Sequence, residues 1–336
     1  MIFGTEYNDC VKKQYILDAA DKLFLRQRRP KYSNEYLIDN ILDCNLNFQS
    51  WSKYGKVLNK YLTYPKFHHK YLNEIYIKWS SLGIFESAYK NIIKENLEYN
   101  PTDIKLNTDV TCVSNMCGIE KIGINPEYTK KNVTKVAVLN TLNNTPISLN
   151  ILENKCIHDA YKTLNHDKTS VQPLLNNILI NMNDTGNMTI NGDKAYISTD
   201  AYKYKNKNVT IITPKREKTL KQTKKEIKKI HGNIKTLELT CYKYKNKYGE
   251  NSKNLLNCCQ KIEKAKEKIN KLTNHIDIIN TKHATRNEKG TKRYLIENYF
   301  CSMKRIPKLY LRTDKLIKTF ISTAFIGFMY NYKITQ

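Results

Sequence analysis

The sequence predicts a mixed α/β chain in which a wholly helical N-terminal part precedes a sheet-bearing core, and a basic helical hairpin interrupts that core. Three patterns predict this. Apolar residues recur at helical spacing within residues 1–100, and from residue 104 they alternate with polar ones, as on a strand with one buried face. From 220 to 279 they fall at alternating intervals of three and four, the heptad seam of paired helices. The expected parts are a helical domain over 1–100, the first part of the core over 101–213, the hairpin over 214–285 and the second part of the core over 286–336.

In the N-terminal part, Ser33 is placed to cap a helix, its hydroxyl accepting from a free first-turn N–H, and Leu37, Ile38, Ile41 and Leu42 follow at helical spacing. A second helix is expected from Phe67 to Ser80, ended by Gly83, and a third from Phe85 to Ile93. In the core, Ile104, Leu106, Val110 and Cys112 mark a strand. Val133 to Leu139 and Ile147 to Leu152 mark two more, joined into a hairpin by the turn Asn143-Asn144-Thr145-Pro146. A helix from Thr169 to Met182 follows, then a strand at Met188 to Ile190 running into Gly192-Asp193, and another at Val209 to Ile212 stopped by Pro214. In the insert, Leu220, Ile227, Ile234 and Cys241 continue one heptad seam, and Leu255, Ile262, Ile269 and Ile276 another. A break at 249–253 predicts two helices folded back on each other; the alternative is one continuous helix that dimerises. A helix from Arg293 to Met303, limited by Pro307, and an apolar helix from Phe320 to Tyr330 complete the chain.

The net charge of +26 is far more than solubility requires, and it asks for a polyanionic partner, nucleic acid or an anionic membrane. No stretch reaches the roughly 20 apolar residues of a membrane span. The best candidate, Leu316 to Tyr330, is short and contains Lys318, and the first ten residues lack the basic-then-apolar pattern of a secretory signal. The expectation is an intracellular, non-membrane protein acting at DNA, in a prokaryotic cytoplasm or in a nucleus or viral factory. Arg26, Arg28, Arg29, Lys31, Lys53 and Lys56 stand beside short helices, as in a helix-turn-helix module whose cations meet phosphates. Residues 214–285 hold 19 Lys or Arg against 7 Asp or Glu, so the insert carries nearly half the chain's excess charge, either as a solvated face or as a grip on DNA backbone. The nine cysteines show no paired zinc spacing and read as reduced thiols. No phosphate-cradling loop is present, so no nucleotide cofactor is expected.

Three acids form the candidate site. Asp109 lies on a strand, Asp193 directly follows one in Gly192-Asp193-Lys194-Ala195-Tyr196, and Glu297 is expected within a helix. Arg293, Glu297 and Lys304 stand at i, i+4 and i+11, which at about 100° per residue brings them within about 40° on one helix face. Taken alone, such a face is a pair of surface ion pairs. With two further carboxylates at strand ends it suits phosphodiester chemistry. Hard divalent cations take carboxylate oxygens, and a metal pair both positions the nucleophile and neutralises the phosphate. Arg293, Lys304 and Lys194 then suit the flanking phosphates.

At these residues the sequence resembles the insertion-sequence transposases with a ribonuclease-H-like catalytic core, whose signature is Tyr-x2-Arg-x3-Glu-x6-Lys. Arg293, Glu297 and Lys304 match its last three members, while Gly290 occupies the tyrosine position. Thr108-Asp109-Val110-Thr111 resembles the segment of the first catalytic aspartate, and Gly192-Asp193-Lys194-Ala195-Tyr196 that of the second. His166-Asp167 resembles a recurring pair before the central helix, with Asp167 a supporting residue for the site or a purely structural one. Trp51 and the run from Lys78-Trp79 to Phe85 resemble the family's N-terminal segment. The resemblance implies a ribonuclease-H-like mixed sheet flanked by helices, with Asp109, Asp193 and Glu297 holding two Mg²⁺ or Mn²⁺ ions. It implies hydrolysis of double-stranded DNA at the terminal inverted repeats of a mobile element, then attack of the freed 3′-OH on target DNA by a homodimer. The insert is larger than in compact members, and helical where larger members carry strands. Two alternatives accompany this reading: a catalytically inactive or repurposed transposase that binds DNA sequence-specifically, and a nuclease of the same fold that never joins strands.

Overall fold

The structure, a computed structural model, describes residues 7–25, 31–61, 68–97, 103–116, 123–124, 132–152, 154–157, 161–164, 167–181, 186–196, 202–213, 217–250, 252–289, 294–312 and 316–332. The chain opens with five helices: α1 (Tyr7–Leu23), α2 (Asn34–Asn47), α3 (Trp51–Tyr61), α4 (His69–Ser81) and α5 (Ile84–Asn96). The core then runs through strands β1 (Asp103–Asn115), β2 (Gly123–Ile124), β3 (Asn132–Thr141), β4 (Pro146–Ile151), β5 (Asn154–Ile157) and β6 (Tyr161–Leu164). A short helix, α6 (Val171–Asn176), leads to β7 (Asn187–Asn191), β8 (Tyr202–Tyr204) and β9 (Lys207–Ile212). Two long helices follow, α7 (Glu217–Tyr248) and α8 (Lys253–Lys289), and then α9 (Tyr294–Lys304), α10 (Pro307–Tyr310), β10 (Leu311–Arg312) and α11 (Ile317–Asn331). The chain is therefore α/β, with a sheet and packed helices, as the periodicities predict.

It falls into two compact units. The first comprises residues 1–190, 201–210 and 292–336; the second comprises 191–200 and 211–291. The N-terminal helices thus share a unit with the sheet and do not form one of their own. The reason is buried polar and aromatic packing onto α11. The Tyr76 hydroxyl on α4 is 2.7 Å from the Thr319 carbonyl and 2.6 Å from Thr323 Oγ1, while Thr323 Oγ1 donates to Asn45 Oδ1 on α2 at 3.0 Å. Tyr89 on α5 packs its ring on Phe325 and Phe328 of α11, and its hydroxyl donates to the Pro146 carbonyl at 2.7 Å. Trp79 is wholly buried against Phe24 and Phe85, and Trp51 lies under the Lys308 ammonium at 4.1 Å from its ring centre. The tryptophans singled out in the sequence are core residues.

Local signals explain most boundaries. Ser33 Oγ accepts the Tyr36 N–H at 3.1 Å, capping α2 as expected. Gly83, at φ 69°, supplies the left-handed turn between α4 and α5. The Asn143–Pro146 turn holds Asn144 at φ 62°, a conformation asparagine tolerates, and joins β3 to β4 as an antiparallel hairpin. The helix expected from Thr169 to Met182 is shorter: a 3-10 turn over Asp167–Ser170 precedes α6, which ends at Asn176. There the chain finds a better partner outside the helix, since the Leu179 N–H donates to the Ile147 carbonyl of β4 at 2.9 Å.

In the sheet, β3 pairs antiparallel with β1 on one side and with β4 on the other, and β7, β9 and β8 continue beyond β1. The strand carrying Asp109 is central. The second unit contains the helical hairpin. Gly249 at φ 81° breaks the helix, which excludes a single continuous helix within this chain. Glu226 pairs with Lys268 at 2.8 Å, the Cys258 thiol meets the Leu237 carbonyl at 3.4 Å, and Leu220 clusters with Ile276 and Ile279. As residue numbers rise on α7 they fall on α8, so the hairpin is antiparallel with its turn near Gly249.

Candidate active site

Asp109 sits in the middle of β1, opposite Val138 of β3. The neighbouring Leu106, Asn107, Thr108 and Thr111 are buried, while the Asp109 side chain is half-buried. Its Oδ1 accepts the Val110 N–H at 2.8 Å, and Thr108 Oγ1 donates to the Val138 carbonyl at 3.2 Å. The Val110 bond orients the carboxylate relative to its own strand.

Glu297 lies in the first turn of α9. That helix buries Ile296, Tyr299, Phe300 and Met303, an i, i+3, i+4, i+7 stripe. Tyr299 packs edge-on against Phe328, and burial pushes its phenol well above the ordinary tyrosine range, keeping it neutral. The stripe packs α9 onto β1, α10 and α11. Glu297 emerges exposed on the flank of the stripe, and the half-buried Lys304 lies two turns further along the same flank, about 20° away. Asp109 and Glu297 are therefore carried by two elements in mutual contact within one unit. Arg293 and Gly290 lie outside the described residues.

Asp193 belongs to the second unit. The Gly192 N–H donates to the Ile212 carbonyl at 2.9 Å, and Asp193 Oδ1 accepts the Ala195 N–H at 2.6 Å, while its own carbonyl accepts from Tyr196 at 3.2 Å. The carboxylate thus closes the 3-10 turn over Lys194–Tyr196, with Lys194 the first residue of the turn. Glycine is required before it: a Cβ on Gly192 meets the ring and Cβ of fully buried Tyr196 at 2.9–3.0 Å. The Gly-Asp-Lys-Ala-Tyr run is a single structural device in which the tyrosine anchors the turn that orients the aspartate.

Asp167 forms an ion pair with Lys135 of β3, both side chains being largely buried. It ties the turn before α6 to the sheet. The periodicities gave no sign of a polar cavity of about 140 Å³ beside α9, lined by Asn144, Asn298, Ser302, Asn331 and Tyr332. Its residues come from three distant segments, and only folding gathers them. Among the described residues, no three His, Cys, Asp or Glu side chains are gathered tightly enough to hold a metal ion, and no helix is long and apolar enough to cross a membrane. The donor chemistry nonetheless suits a hard divalent cation: all three candidate groups are carboxylates, and no soft ligand stands among them.

No protein family, curated protein or solved structure matches this chain.

Proposed function

We propose that this protein is a DNA transposase with a ribonuclease-H-like core, cleaving and joining DNA strands with Asp109, Asp193 and Glu297. The observation that carries this reading is the seating of α9, with Glu297 and Lys304 on one flank, against the central strand that bears Asp109. The strand order adds support. β7, whose end leads through Gly192 into Asp193, is the neighbour of β1, and the β1–β3–β4 meander occupies the other side. This is the kind of mixed sheet the motifs lead one to expect.

In this reading the three carboxylates would hold two divalent cations, which would supply charge neutralisation on phosphate and activation of water or a 3′-OH. Asp109 Oδ1 accepts the Val110 N–H and Asp193 Oδ1 accepts the Ala195 N–H, bonds that orient each carboxylate on its own element. Lys304 and Lys194, with Arg293, meet the phosphates that flank the scissile one, fixing the strand for in-line attack. DNA is the partner, as the +26 charge favours, and pairing of two DNA ends asks for two copies of the chain.

The test is strand cleavage and strand joining on duplex DNA carrying the inverted repeats that flank the gene, in Mg²⁺ or Mn²⁺. The wild-type chain is expected to nick and join. Asp193→Ala and Glu297→Ala are expected to reduce both to background while DNA affinity stays within about twofold. Full cleavage by either variant would overturn the site assignment.

A further inference from the structure

The lysines of the helical hairpin are not spread evenly around it. On α8, Lys261, Lys264, Lys268 and Lys271 stand at i, i+3, i+7 and i+10 and are all exposed. At about 100° per residue they fall within about 80° of one another, along about 15 Å of helix. The acids Glu263 and Asp277 lie on the other flank of the same helix, and Glu267, three residues after Lys264 and four before Lys271, borders the stripe. The buried seam of Cys258, Ile276 and Ile279 runs between the two flanks. The contact of Lys268 with Glu226 shows which side of α7 borders the lysine stripe. On that side α7 presents Glu226 and Lys229 with uncharged Gln222, Asn233 and Thr240. Lys221, Lys224, Lys228 and Lys235 lie on its other side, toward the acidic flank of α8. One face of the hairpin is therefore predominantly basic, and the other carries both signs.

Sequestering like charges on one flank costs mutual repulsion that an ordinary solvated helix avoids by interspersing signs. The two acids beside the stripe, Glu226 and Glu267, do not cancel its four lysines. The Lys268–Glu226 pair is about half exposed on both sides, and such pairs contribute less than about 1 kcal/mol, so a phosphate displaces the carboxylate readily. Four ammonium groups spread over about 15 Å lie within reach of about five successive phosphates of one duplex strand, which are spaced about 3.4 Å along the axis.

We propose that the stripe Lys261, Lys264, Lys268 and Lys271 is a docking surface for the phosphate backbone of duplex DNA, independent of base sequence. The choice of DNA over another polyanion rests on the transposase reading. The hairpin then holds DNA by charge and position and reads no bases, so its contribution falls steeply with salt.

The experiment uses the full-length chain. A stripe variant, K261Q/K264Q/K268Q/K271Q, is compared with a control carrying the same charge change on the other face, K221Q/K224Q/K228Q/K235Q. Glutamine keeps helix propensity, and circular dichroism confirms equal helicity. Binding to a labelled duplex of arbitrary sequence is read by anisotropy across a salt series. The stripe variant is expected to bind at least about tenfold more weakly at low salt, and to lose about three units from the slope of log affinity against log salt. The control is expected to change both by much less. Equal losses in the two variants reduce the effect to bulk charge and overturn the proposal, as does no loss in either. A stripe that affects binding to phosphatidylserine vesicles and not to duplex overturns it in favour of a membrane surface. Strand cleavage is assayed on the same proteins. Cleavage with unchanged binding by the stripe variant defeats the docking surface alone, and stripe-dependent binding without wild-type cleavage defeats the transposase reading alone.

Discussion

The two units are stabilised in different ways. The first buries whole aromatic side chains contributed by segments far apart in sequence: Trp79, Tyr76, Tyr89 and Phe328 are all at most 1% exposed, and the hydroxyls of Tyr76 and Tyr89 end on carbonyls. The hairpin buries a single seam, of which Leu220, Ile234, Cys258, Ile276 and Ile279 are the buried members, and almost every other hairpin side chain meets solvent. A non-local core unfolds as a block, whereas a seam between two helices opens locally at lower cost.

The largest effect that tests this contrast is expected from Trp79→Ala. Removing a wholly buried indole costs about 3–5 kcal/mol and should lower the main thermal transition by roughly ten degrees, or leave the first unit unfolded. A smaller loss, about 2–3 kcal/mol, is expected from Ile276→Ala, 9% exposed in the seam. Amide exchange should then accelerate in α7 and α8 while the protection of β1, β3 and α11 stays unchanged. Accelerated exchange throughout would mean that the two units unfold together.

The smallest effect concerns pH. The Cys241 thiol in the seam is pushed up to about 12, first by its hydrogen bond to Cys258 and then by burial and by Cys259. The folded state therefore keeps this proton when an unfolded thiol, near about 8.5, has lost its own. The contribution is present in full below the unfolded value and is lost as pH rises through and beyond it. At pH 9, iodoacetamide should label Cys241 much more slowly in the folded chain than in urea, and Cys258→Ala should speed the labelling. Equal rates folded and unfolded would remove the thiol contact from the hairpin.

Legibility followed the same division. The heptads from Leu220 to Ile279 predicted both long helices and their break, because a seam is a local pattern and needs only neighbours at i+3 and i+4. The long strands β1, β3 and β4 and the Ser33 cap were readable for the same reason. The two- to four-residue strands β2, β5, β6, β8 and β10 were not, since they hold no full period and exist through their partners. The helix after Ser170 was overestimated, because the hydrogen bond from Leu179 to Ile147 that ends it comes from another part of the sheet.

For the candidate site, the sequence by itself determined the candidates: carboxylates at 109, 193 and 297, and the shared flank of Glu297 and Lys304, follow from residue type and helical repeat. Only the tertiary structure decided that Asp109 occupies the central strand, that α9 seats against that strand, and that Tyr196 folds back over Gly192 to hold the turn of Asp193. It also decided that the first hundred residues join the sheet's unit through α11. Periodicity reports which face of an element is apolar, but the partner of that face is chosen by packing between segments hundreds of residues apart, and no local pattern records it.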